Sequence, residues 1–317
     1  MKSNRLLFLL TLFATLVGHA QEAEVSFSVS GGFYDTVFSL SMSCTDESYA
    51  IRYTLNGGTP QANSHLYREP LCLDEHMYGH SDFYTIRCCP DSLWFRPDSV
   101  RHCIVIRAAA FDDRGNCVSE VVTNSYFIKA LGCDTHGLPV VSLCADSLDL
   151  FGFEQGIMVP GVCFDSANAD WSGNYYQHGR EWERLCNVEF YELDNQGVNQ
   201  QAGLRTHGGN ARRELQKGLK VYARKDYGKK DFEHVFFPEC ENGTFRRLVL
   251  KPFRLLSYAV RDDVATKMAQ TLNVEWQASR PTVLFIDGEY WGIYLLKEKL
   301  DEHCLAGHFG FKPRIST

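Results

Sequence analysis

Between Gly203 and Gly228 the chain reads GLRTHGGNARRELQKGLKVYARKDYG, where seven basic residues meet only Glu214 and Asp226. The basic residues are Arg205, Arg212, Arg213, Lys217, Lys220, Arg224 and Lys225, and Lys229 and Lys230 lengthen the run. These types suit the chemistry of anions. Around His207, Gly208, Gly209 and Asn210, glycine permits turn conformations in which successive backbone N–H groups point at one ligand. Ten positions after His207 comes Lys217. On a strand, Lys217, Leu219, Val221 and Ala223 share one face, so the lysine projects with apolar residues. An inward lysine left unpaired is costly, and a phosphate would answer it. Lys220, Arg224 and Lys225 read as a solvated face.

The elements that must carry this segment follow from pattern. Residues 140–143 form a short strand, and residues 146–152 a helical turn. Residues 188–192 alternate as a strand, with a turn over 194–197. Ser257 can cap a helix running through Leu272, with Val260, Val264, Met268 and Leu272 at i, i+4 spacing. Residues 281–286 and 289–296, joined by Asp287-Gly288, make a hairpin with a favoured two-residue turn. A further helix starts near Lys299.

The first half of the chain has a different texture. Residues 51–55 end in Asn56-Gly57-Gly58, a hairpin signal, and residues 104–111 and 119–128 are two more strands. Short strands at this spacing indicate an immunoglobulin-type sandwich. IRYTLNGGTPQANSHLYREP and VIRAAAFDDRGNCVSEVVTNSYF resemble the small C-terminal β-sandwich of chitobiases, with Asn56 where that pattern prefers Asp. The resemblance implies a non-catalytic accessory module over residues 21–130, with a glycan as one conceivable partner. Residues 74–101 lack clear periodicity and read as a long insertion without an assigned role.

GLRTHGGNARRELQKGLKVYARKDYG, FRRLVLKP, AVRDDVATKMA and SRPTVLFIDGEYWGIYLLKEKLDEHCL closely resemble, in order and spacing, the spore-coat protein H (CotH) kinase family. The resemblance implies that residues 131–317 are an α+β lobe like the N-lobe of an atypical protein Ser/Thr kinase, using ATP and a divalent metal. Carried over, His207, Gly208, Gly209 and Asn210 cover the phosphates, Lys217 contacts them, and Glu298 lies near the adenine-side hinge. Arg261 and Asp262 begin the helix packed behind the site. Phosphoryl transfer also needs carboxylates for the acceptor hydroxyl and the metal. In the family these lie downstream, and nothing after the hairpin matches them, so the expectation is a nucleotide-binding part without its catalytic lobe. No catalytic residue is assigned. The alternative is a non-catalytic extracellular surface, matrix or carbohydrate-binding module.

Lys2 and Arg5, an apolar run over residues 6–17 and Gly18-His19-Ala20 read as a signal peptide cleaved after Ala20. The apolar run is too short for a membrane anchor. Export to the medium, periplasm or cell surface follows, with an extracellular protein as the expected substrate. Removing two basic residues leaves 32 − 2 = 30 against 39 acidic, a net charge of −9. That balance argues against nucleic acid as a partner. Twelve cysteines in an exported chain permit disulfides. The zinc reading is weak, because no C-x-x-C pair occurs and His303-Cys304 has no partner at a matching spacing.

Overall fold

The structure, a computed structural model, describes residues 23–310 apart from 80–81, 91–92, 95, 241, 254–255 and 273. The expected signal peptide therefore lies outside the described residues, as do Lys2 and Arg5.

The strands before residue 130 are β1 (Val25–Phe27), β2 (Gly32–Tyr34), β3 (Ser39–Leu40), β4 (Met42–Cys44), β5 (Ala50–Thr54), β6 (His65–Leu66), β7 (Leu71–Cys72), β8 (Ile104–Phe111) and β9 (Val122–Ile128). One sheet runs β2-β9-β8-β5-β6, and β1·β4 and β3·β7 are short separate pairs. Val25, Leu40, Met42 and Leu73, on or beside the short pairs, share a buried cluster with Ile51, Ile104, Ile106, Ala108, Ala110, Tyr126 and Ile128 of the sheet. This is the layered β module that the alternating runs predicted. The turn at Asn56 differs. Strand β6 begins only at His65, so Asn56-Gly57-Gly58 opens a longer connection than a two-residue hairpin. Gly57 has φ +75°, and a Cβ there would overlap the Asp287 carboxylate. The glycine serves a close approach between the two halves of the chain.

After residue 139 come β10 (Val140–Ala145), β11 (Arg184–Tyr191), β12 (Gly197–His207), β13 (Gly218–Tyr222), the short pair β14 (Phe232–Glu233) and β15 (Thr244–Phe245), then β16 (Arg247–Pro252), β17 (Ser279–Ile286) and β18 (Glu289–Glu298). Seven of them close a barrel in the order β10-β11-β12-β13-β16-β18-β17. Strand β17 closes onto β10 in parallel, Val140 facing Val283, while the other neighbours are antiparallel. Period-2 alternation turns Val141, Leu143, Val188, Phe190, Leu204, Leu219, Val221, Leu250, Leu284, Ile286, Tyr294 and Leu296 into one packed interior. The two-residue hairpin turn is present, with positive φ at both Asp287 and Gly288.

The helices are α1 (Ser147–Phe151), α2 (Leu256–Ala269) and α3 (Glu302–Phe309). The expectation was an α+β lobe; the described part of this half is instead dominated by strands. The i, i+4 stripe also behaves differently from a core-facing stripe: Val264, Met268 and Leu272 are exposed. Helix α2 meets β17 in part through a polar contact, Ser279 Oγ donating to Asp263 Oδ1 at 2.7 Å.

The sandwich and the barrel share a third cluster. Cys103, Val105 and Phe127 from the outer face of the sheet pack on Val140, Cys144, Tyr191, Val283 and Phe285 from the outside of the barrel. Strand β8 is thus buried at all eight positions, which is why IVIRAAAF lacks a polar alternation. Within this seam Glu189 is fully buried. It accepts from Ser125 N (3.0 Å), Ser125 Oγ (2.5 Å) and Tyr191 Oη (2.6 Å). Burial pushes its carboxyl up to about 7 despite those donors.

Candidate functional site

Strand β12 delivers His207 to one end of the barrel, where it pairs with Gly218 at the start of β13. The chain then turns through Gly208, with φ +111°, and enters a short 3₁₀ segment, Asn210–Arg213. Arg212 holds the turn by donating Nε–H to Gly208 O at 2.7 Å and Nη1–H to the carbonyls of Tyr176 and Gln177, both at 3.2 Å. Gly208, Gly209 and Asn210 are exposed, and the space that a Gly209 Cβ would take is empty. The loop is fixed at its base and open at its tip.

Electrostatics mark the same place. His207 is pushed down to about 4, first by burial and then by the charges of Lys220, Lys299 and Arg212. The imidazole is therefore neutral at pH 7 amid fixed cations. Arg205, Lys220 and Lys297 occupy one row across β12, β13, β16 and β18, through the register Arg205↔Lys220, Lys220↔Val249, Val249↔Lys297. Lys220, read from sequence as part of a solvated face, is half-buried in this row. What the sequence lacked was the fourth strand, which brings Lys297 to the row from 77 positions away.

Lys217 is elsewhere. It does face inward with Leu219 and Val221, and it is fully buried. Its partners are not anionic: Nζ donates to Cys88 O (2.6 Å) and Glu214 O (2.8 Å) and lies 4.3 Å from the Tyr175 ring centroid. Burial lowers its pKa to about 8. The cover is the unassigned insertion. Residues 83–90 lie across this end of the barrel, tied down by Phe83 N and Tyr84 N, which donate to the buried Glu289 carboxylate at 2.7 and 2.8 Å. A hydrogen bond with Cys89, and then the charge of Lys217, lower the Cys88 thiol; the same bond and burial raise that of Cys89. A cavity of about 540 Å³ remains between this insertion and the barrel, lined among others by Phe83, Tyr84, Leu215, Tyr290 and Trp291.

Glu298 lies further along the barrel wall, on the interior-facing parity of β18 with Leu296 and Tyr294. Gln216, next to Lys217, donates to Trp291 O near the start of β18 (2.6 Å), whereas Glu298 ends that strand. By register Glu298 faces Leu248, which faces Val221, four positions beyond Lys217 and roughly 13 Å along the strand. The structure therefore brings His207, Gly208, Gly209 and Asn210 together, sets Lys217 beneath a lid of chain, and places Glu298 on the interior face of β18, one residue from Lys297 of the Arg205–Lys220–Lys297 row. Glu298 is fully buried, with Ala278 N donating to Oε2 (3.0 Å) and His308 Nε2 3.0 Å from Oε1.

Residues 204–315 match the family model described as CotH kinase protein. The chain carries a CotH domain. Ahead of it, residues 29–78 match the chitobiase/beta-hexosaminidase C-terminal domain. Among curated proteins none matches the chain. The glycine turn, Lys217 and Glu298 all fall inside the CotH match, but β10, β11 and most of β12 precede it. The closed barrel that supports the CotH residues thus draws strands from outside the matched segment. Similarly, β8 and β9 complete the sheet of the chitobiase-type module beyond its match.

Proposed function

We propose that this CotH-like protein binds the polyphosphate of a nucleotide at the open loop Gly208-Gly209-Asn210, as the nucleotide-binding part of an atypical protein Ser/Thr kinase acting outside the cell. The observation that carries the reading is the exposed Gly208-Gly209-Asn210 turn, with nothing where a Gly209 Cβ would stand, next to the Arg205↔Lys220 pair across β12 and β13. Cations beside an exposed glycine turn favour an anion with several oxygens. Kinases use the same means, positioning and charge, on transferring phosphoryl groups. For Lys217 to meet a phosphate, the Cys88–Cys89 segment has to leave, since its bond to Cys88 O holds it beneath that segment. The residues present fit a phosphate group better than they fit its metal. Among the described residues the one grouping of His, Cys, Asp and Glu with ligand spacing is Cys240, Glu298 and His308, a set unlike the oxygen ligands that Mg²⁺ takes.

ATP binding to the mature chain, followed by calorimetry with and without Mg²⁺, tests this. Lys220→Ala should weaken ATP about tenfold, the effect of losing one charge-assisted contact. Unchanged affinity in Lys220→Ala together with Gly209→Val would remove the loop from the site.

A further inference from the structure

The end of β18 carries a cluster that the nucleotide reading does not use. Cys240 Sγ, Glu298 Oε1 and His308 lie with their ligand atoms within 4.8 Å of one another. Cys240 Sγ is 3.6 Å from His308 Nε2, which is 3.0 Å from Glu298 Oε1. A fourth donor is close: Cys304 Sγ lies 3.9 Å from the same Nε2 and 3.7 Å from the same Oε1. Around a tetrahedral Zn²⁺, with Zn–S near 2.3 Å and Zn–N or Zn–O near 2.0–2.1 Å, neighbouring ligand atoms stand about 3.3–3.8 Å apart. These four separations straddle that range, while Cys304 stands outside the set of three whose ligand atoms all lie within 4.8 Å of one another.

The positions of these groups follow from the fold. Helix α3, capped by Asp301 accepting from His303 N and Cys304 N, puts Cys304 and His308 at i and i+4 on one face. Glu298 ends β18 beneath that face, and Cys240 comes from the connection between β14 and β15. The other ring nitrogen of His308, Nδ1, is hydrogen-bonded to Glu275 Oε1. A carboxylate on the far nitrogen fixes the tautomer and ring plane of a metal-binding histidine. Cavities of about 800 and 290 Å³ flank the cluster, the first lined by Cys240, Glu275 and His308, the second by Glu298 and Cys304. They supply an entry path.

We infer that Cys240, Glu298 and His308 form a binding site for a zinc-like divalent transition metal, with Cys304 as the adjacent fourth donor and Glu275 orienting His308. Two sulfurs, one imidazole and one carboxylate in a compact set suit tetrahedral Zn²⁺ over Mg²⁺ or Ca²⁺, which take oxygen ligands. The site ties α3 and the β14–β15 connection to the end of β18, so its role is to fasten that end of the barrel. It stands independently of the nucleotide reading and gives Glu298 a different task. The zinc reading that failed on sequence spacing succeeds in space, because Cys240 lies 64 positions before Cys304.

The test is a Co²⁺ titration of the mature chain, purified with reductant and stripped of metal. One equivalent should give thiolate-to-cobalt charge-transfer absorption and the visible bands of a tetrahedral ion, both erased by Zn²⁺. Cys240→Ser and His308→Ala should each weaken binding at least tenfold. Glu275→Gln should weaken it about 10- to 100-fold while leaving the band positions in place. Cys163→Ser, remote from the cluster, should change nothing. If a ligand variant fails to fold, the Glu275→Gln shift still decides. Absent bands, unaltered affinity in Cys240→Ser, or a Cys240–Cys304 disulfide in peptide mass mapping of the purified protein would each overturn the assignment.

Discussion

At Lys217 the side chain's orientation could be read from the sequence but its partner could not. Shared parity with Leu219 and Val221 correctly put the amine inside, yet what meets it is the carbonyl of Cys88, 129 positions upstream. No local pattern carries that information. Replacing Lys217 with Met should cost about 1–3 kcal/mol in urea denaturation, because two buried carbonyls lose their donor. On this geometry ATP affinity should stay unchanged in Lys217→Met and fall in Lys220→Ala, so the pair of variants separates support from binding. Glu189 makes a second residue-scale prediction. Its folded pKa of about 7 exceeds the unfolded value near 4.3, so between these values the folded state holds a proton that the unfolded state has lost. The Glu189 contribution to stability should therefore be greatest at the acid end of the window and decline as pH rises to about 7, by about 4 kcal/mol at most. Urea midpoints measured across this range, compared with Glu189→Gln, should show that decline in the wild type and its loss in the variant.

The strands and the final hairpin are plain in the sequence because alternation and Asp287-Gly288 are local signals. The insertion over residues 74–101 is not, because its structure comes from what it covers. Its anchor is Glu289, whose two carboxylate oxygens receive consecutive N–H groups from the 3₁₀ turn Phe83–Thr85. Glu289→Gln keeps the shape but replaces one acceptor by a donor, which turns one bond into a clash of hydrogens. The expected outcome is faster limited proteolysis between residues 74 and 101, with the barrel core still resistant. Equal cleavage rates would mean that the insertion is held chiefly by its apolar contacts. Helix α2 teaches the converse lesson: its i, i+4 stripe was visible, yet Val264 and Met268 face outward, so period alone does not say which side is covered.

Over the whole molecule, the division into a sandwich and a second body was legible, but not their fusion. Strand β8 is apolar at every position but Arg107 because one face serves the sandwich and the other the barrel. Fully buried aromatic contacts cross the seam, with Phe127 5.1 Å from Phe285 and 5.8 Å from Tyr191 between ring centroids. The two halves should therefore melt in one calorimetric transition. Residues 131–317 produced without the sandwich should lose that cooperativity, since Val140, Tyr191, Val283 and Phe285 would face water. Two well-separated transitions in the intact chain would show the seam to be weak.

Barrel closure has a consequence in time. The ribosome releases β10 long before β17, and Val140 finds its parallel neighbour Val283 only after 143 further positions have emerged. Until then a strand of Val, Leu and Cys offers one unsatisfied edge to any passing chain. The sandwich, finished first, can shelter the outward side chains of that strand but not its edge. Assembly of this protein is thus governed by its last hairpin, and nascent chains stalled before Asp287 are the ones most exposed to misassociation.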